Sequence, residues 1–135
     1  MTITVPISFS QAEPVSYTFG VTLVVCRKCS IRRGVSVETG ADLAAEAAQV
    51  AKGTGIKVRQ VACLGRCDKG LNAALMVPHG WNYIFNGLEV SDARDLIEGA
   101  TALAFSDDGQ LRWADWSVSL RKALSAQIPS WDAVF

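Results

Sequence analysis

Val21-Thr22-Leu23-Val24-Val25-Cys26-Arg27-Lys28-Cys29 and Ile56-Lys57-Val58-Arg59-Gln60-Val61-Ala62-Cys63-Leu64-Gly65-Arg66-Cys67 decide how this chain folds. The first opens with a short apolar, β-branched run, fit for a buried strand. The second alternates apolar and polar residues up to Val61, the pattern of a strand with one face covered. Each run ends on a close cysteine pair, C-x2-C and then C-x3-C with 33 residues between, and the two pairs hold all four cysteines.

Working outward, Ser30–Thr39 reads as a loop carrying Arg32, Arg33 and Gly34. A helix follows over 41–52, with Leu43, Ala47, Val50 and Ala51 on one face and Asp42, Glu46 and Gln49 on the other. Asp42 and Glu46 suit the positive end of its macrodipole, and Gly53 stops it. Strand, helix, strand predicts a right-handed crossover joining parallel strands, which places both cysteine pairs at one edge of the sheet. Downstream, 73–77 reads as a strand, Pro78-His79-Gly80 as a tight turn and 81–85 as its hairpin partner. Asn86-Gly87 is expected to turn the chain again. Ser91 is expected to cap a helix that buries Ala93, Leu96, Ile97, Ala100, Leu103 and Ala104.

The order β-α-β-β-β-α predicts an α/β protein with a thioredoxin-like mixed sheet. Asp107-Asp108-Gly109 reads as a turn rather than a carboxylate pair with chemistry. Leu111-Arg112-Trp113 reads as a short strand, and Asp115 as the cap of a last helix ending near Ser125, lined by Trp116, Leu120 and Leu124. The expected organisation is an N-terminal arm over 1–19, a thioredoxin-like cluster-binding domain over 20–104, and a C-terminal helical extension over 105–135 packed on the same domain.

Half of the 135 residues are hydrophobic and 19% are charged, which suits one folded domain with its own core and not a disordered chain. The formal net charge is zero, so nothing in the whole-chain electrostatics calls for nucleic acid or a membrane surface. Locally the balance differs. Segments 26–33 and 57–69 hold Arg27, Lys28, Arg32, Arg33, Lys57, Arg59, Arg66 and Lys69, eight of thirteen bases, against the single acid Asp68. The cysteine edge is therefore expected to be positive and to attract an acidic partner protein. No secretory leader pattern and no membrane-length apolar run is visible, so the expected setting is the cytoplasm. There thiols stay reduced, which favours metal ligation or redox chemistry over structural disulfides.

Four thiolates on two strand ends supply two ligands to each iron of a [2Fe–2S] cluster. Such a site carries about −2 when oxidised and about −3 when reduced, so nearby cations and backbone N–H donors favour the reduced state. The same four residues also suit a non-redox zinc module in metal handling or assembly. A dithiol oxidoreductase is a third reading, but it needs a cysteine at a helix N-terminus, and the helix pattern begins about a dozen residues after Cys29. Four unligated buried cysteines are the bland reading, which two close pairs among cations fit poorly.

The chain resembles the DUF1636 family of predicted metal-binding proteins, itself related to thioredoxin-like [2Fe–2S] ferredoxins. The resemblance rests on Leu23–Cys29, on Ala62-Cys63-Leu64-Gly65-Arg66-Cys67-Asp68, on Trp81–Leu88 and on Ala126-Gln127-Ile128-Pro129. It implies that Cys26, Cys29, Cys63 and Cys67 ligate one [2Fe–2S] cluster, and that the protein carries single electrons and is not an enzyme. Family members occurring near cobalt and cobalamin genes imply electron delivery in that metabolism. One departure is the first spacing: the better-studied thioredoxin-like ferredoxins set their first two cysteines farther apart than C-x2-C.

Three residue types remain. His79, the only histidine, sits in the expected hairpin turn, where solvation is the usual state and metal ligation or pH sensing the alternative. Trp113, Trp116 and Trp131 crowd the last quarter. Trp116 is expected in the core, whereas Trp131 and Phe135 could either cover the sheet or pack a homodimer. No phosphate-binding glycine loop and no Ser/His/Asp or Cys/His set is present.

Overall fold

Five strands form one sheet in the order Lys57–Val61, Thr22–Cys26, Leu71–Met76, Trp81–Leu88, Leu124–Pro129, and a separate two-stranded hairpin, Ser30–Arg33 with Ser36–Thr39, stands beside it. The computed structural model describes residues 18–65 and 70–133. The strands are β1 (Thr22–Cys26), β2 (Ser30–Arg33), β3 (Ser36–Thr39), β4 (Lys57–Val61), β5 (Leu71–Met76), β6 (Trp81–Leu88) and β7 (Leu124–Pro129); the helices are α1 (Gly40–Ala51), α2 (Ala93–Ala104) and α3 (Val118–Ala123). The fold is α/β.

β1 pairs with β4 in parallel, Cys26 opposite Val61, and with β5 antiparallel. That is the pairing the crossover rule predicts. Leu23, Val25, Ala73, Leu75, Tyr83 and Phe85 are buried on these strands, and Leu43, Ala47, Leu96, Ala100 and Leu103 on the helices. α1 and α2 pack on each other and on β1, and α3 packs on α2 and β6. Thr39 Oγ1 accepts the Asp42 N–H at 3.1 Å while Asp42 accepts the Thr39 N–H at 3.0 Å, so the start of α1 is sealed by a reciprocal cap.

Several expectations change. Ser30–Thr39 is a hairpin and not an open loop. Asn86-Gly87 does not reverse the chain: β6 runs through it to Leu88, and the register against β5 breaks there. α2 is entered through a 3-10 turn, Val90–Asp92, in which the Asp92 carboxylate, and not Ser91, accepts the Glu89 N–H at 2.8 Å. Leu111-Arg112-Trp113 is not a strand but leads into a 3-10 turn at Trp113–Asp115. Ser117, not Asp115, caps α3, and that helix ends at Ala123. The next residues pair with β6, so the C-terminal extension contributes both a helix and an edge strand. The arm expected over 1–19 lies outside the described residues except for its end, where the Thr18 and Phe19 N–H groups both donate to the Ala104 carbonyl.

Burial raises the Asp92 carboxyl above the ordinary aspartate range, with Glu89, Asp95 and Glu38 adding to it against the Glu89 N–H. A raised folded-state value means that protonation favours folding: the benefit is complete below the unfolded-state value and disappears as pH rises through the folded one. Asp92→Asn keeps an acceptor for the Glu89 N–H and removes the ionisation. Its urea midpoint relative to the unmutated protein is expected to improve as pH rises from about 4 to 7. A constant difference across that window would contradict this.

Candidate metal centre

The last residue of β1 is Cys26, and the Arg27 N–H donates to the Val61 carbonyl at 2.9 Å, so the first cysteine loop leaves the sheet alongside the end of β4. Cys26 and Cys29 are both buried, and their Sγ atoms converge to 2.9 Å. That is longer than the ~2.05 Å of a disulfide bond. It is shorter than the ~3.7 Å that a tetrahedral metal with ~2.3 Å bonds to sulfur sets between two ligands. The pair therefore reaches the spacing of two ligands on one metal by parting less than an ångström.

The second loop adjoins the first. Cys26 Sγ lies 3.6 Å from the Ala62 carbonyl oxygen, and the next residue is Cys63. Cys63 is exposed, and its Sγ accepts the Gly65 N–H at 3.2 Å. This is the backbone donor expected in that loop. Arg66, Cys67, Asp68 and Lys69 lie outside the described residues. Among the described residues, no three histidine, cysteine, aspartate or glutamate side chains are gathered into one metal-binding group. Two of the four expected ligands thus meet, and the third stands on the neighbouring loop.

The first loop is fixed from behind as well. The Gly40 N–H, at the start of α1, donates to the Cys29 carbonyl at 2.9 Å. The β2–β3 hairpin fills the stretch between Cys29 and α1, so neither Cys26 nor Cys29 occupies the first turn of that helix. Arg27, Lys28 and Arg32 are exposed on or next to this loop, while Lys57 and Arg59 line β4, the strand at the sheet's edge.

One partner of the cysteines had no signal in the sequence. Asn72 is fully buried, and its Nδ2 donates to Cys29 Sγ at 3.3 Å. The strand expected over 73–77 leaves Asn72 outside it, whereas β5 takes Asn72 in, at a break in register against β6. A second break in register falls at Ser125 of β7.

The chain matches the family model described as "Protein of unknown function (DUF1636)" over residues 23–130. The chain belongs to the DUF1636 family. No curated protein and no solved structure matches it. The matched span of this DUF1636 chain includes all four cysteines and ends just after β7.

The remaining candidates lie elsewhere. His79 sits at the β5–β6 turn, at the opposite end of the sheet from Cys26, with φ of 68° and its Nδ1 2.5 Å from an Asp132 carboxylate oxygen. Trp116 is core, Trp113 is half exposed and Trp131 is wholly exposed. Phe135 lies outside the described residues. No helix among the described residues is long and apolar enough to cross a membrane.

Proposed function

We propose that this DUF1636 protein is a ferredoxin-type electron carrier in which Cys26 and Cys29 hold one iron of a [2Fe–2S] cluster and Cys63 and Cys67 the other. The observation that carries the reading is the convergence of the buried Cys26 and Cys29 sulfurs beside the Cys63 loop. An N–H donor already reaches a sulfur in each loop, Asn72 at Cys29 and Gly65 at Cys63. When bound, such a cluster supplies reversible one-electron transfer. The chain's own part is to hold the thiolates, shield the first pair from water and offset negative charge with N–H dipoles and cations. Exposed Arg27, Lys28 and Arg32 offer an acidic redox partner a docking surface at the cluster's edge.

The test is an anaerobic visible spectrum of freshly purified protein with dithionite added, alongside iron and zinc analysis. Bands between roughly 330 and 550 nm that bleach on reduction, with about two irons per chain, are the expected result. A colourless protein holding zinc would overturn it in favour of the metal-handling module. Cys63→Ser is the cleanest site variant, because Cys63 is exposed whereas Cys26 and Cys29 are part of the core. It should lose the colour and still unfold cooperatively.

A further inference from the structure

A line of polar side chains crosses the sheet from its outer strand to the first cysteine pair. The Ser125 hydroxyl donates to Asn86 Oδ1, Asn86 Nδ2 donates to Asn72 Oδ1 at 2.9 Å, and Asn72 Nδ2 donates to Cys29 Sγ at 3.3 Å. Three strands contribute one member each: β7, β6 and β5.

The members all stand where the ladder slips. Leu71 faces Leu88 and Ala73 faces Phe85, so Asn72 alone opposes the two residues Asn86 and Gly87. Ile84 faces Ala126 and Phe85 faces Leu124, so Ser125 is the extra residue of β7. A bulge of this kind re-aims a side chain at the cost of regular pairing. Here two successive bulges turn three polar side chains into one chain of donors with a single direction, ending on sulfur.

Burying a polar side chain among apolar neighbours is unfavourable unless it is hydrogen-bonded. Apart from Tyr83 and the cysteines, Asn72 is the only polar side chain fully buried among the described residues. Its carboxamide orientation is set from behind, because Asn86 occupies its carbonyl oxygen and so directs its NH2 group toward Cys29. An amide donor fixed in this way stabilises a thiolate over a thiol and stabilises it more as the metal centre gains electron density.

We infer that Asn72, oriented by Asn86 and Ser125, is a positioning residue that locks Cys29 as a metal ligand and raises the reduction potential of the bound centre. The effect on potential rests on the [2Fe–2S] reading above; the effect on ligand strength does not. Asn72→Leu has similar volume and no donor. Two measurements separate the two statements.

Cobalt(II) binding to the apo protein, read by the sulfur-to-cobalt absorption and by competition with a chelator, needs no native cluster. Asn72→Leu is expected to weaken it by about tenfold or more, the usual effect of removing an outer-shell partner. Unchanged cobalt affinity and absorption would overturn the inference, whatever metal the purified protein holds. In cluster-loaded protein, a redox titration should give a lower potential for Asn72→Leu, by about 59 mV if the donor favours the reduced centre tenfold in a one-electron couple. An unchanged potential would remove the redox role. Ser125→Ala, at the exposed end of the line, should shift the potential in the same direction by less. Because that residue is on the surface, its result stands even if Asn72→Leu fails to fold. A potential unmoved by Ser125→Ala would then overturn the inference.

Discussion

Replacing Gly40 with alanine is expected to disrupt the first cysteine loop and to destabilise the protein by about 4 kcal/mol or more, in the tail of single-substitution effects. A Cβ on Gly40 would stand 1.7 Å from the Cys26 carbonyl oxygen, 2.7 Å from its carbon and 3.0 Å from Arg27 Cα. All three are backbone atoms, so no side-chain rotation relieves the overlap. The first turn of α1 would have to withdraw from the end of β1. That movement would strain the Gly40 N–H bond to Cys29 and the alignment of Cys26 with Val61. The reason for glycine here is close approach alone. Urea unfolding and metal content of the same preparation are the readouts. A midpoint and metal content equal to those of the unmutated protein would show that the helix does not enter the loop this closely.

Trp116→Ala is expected to destabilise by about 3–5 kcal/mol, the range for deleting a large buried aromatic. Its ring is 2% exposed and meets Tyr83 edge-on at 4.9 Å and Phe85 at 5.5 Å between centroids. These contacts add to the apolar burial. The ring also seats over Gly99 of α2, where a Cβ would come within 2.6 Å of Cζ3. Trp116 therefore ties the residues before α3 to both the sheet and α2, and its loss leaves a cavity between layers. Trp131 is the natural control, since it is wholly exposed and Trp131→Ala should change stability by less than about 0.5 kcal/mol. Thermal unfolding of the two variants decides the matter. Equal effects would mean that Trp116 is not the layer contact described.

What was readable in the sequence and what was not divides along physical lines. β1 is a short apolar, β-branched run, and β4, α1 and α2 carry apolar periodicity; both patterns report which residues turn toward the core. The β2–β3 hairpin has no such signal: Ser30, Arg32, Ser36 and Val37 are exposed, and its two strands are held by pairing to each other. Asn86-Gly87 has the local chemistry of a turn, yet β5 and β7 pair on either side of β6 and absorb the pair as a bulge. Leu124 continued a helical spacing from Trp116 and Leu120, with the helix expected to end near Ser125. Pairing with β6 overrode it, because a strand on the sheet satisfies backbone groups that the end of a helix leaves open.

The placement of Cys26 and Cys29 beside the Cys63 loop was legible because the spacings are short and the runs before them are simple. The two runs before them specify strands locally, and chain handedness makes those strands parallel, so sequence alone brought both cysteine loops to one edge. The tertiary structure decided what reaches the sulfurs. Asn72 lies 43 residues from Cys29, and Ser125 is farther still. Their alignment depends on the registers of β5, β6 and β7, and a slip of one residue would turn each side chain to the opposite face. Such registers are set by the packed sheet as a whole and are written in no single stretch of the chain.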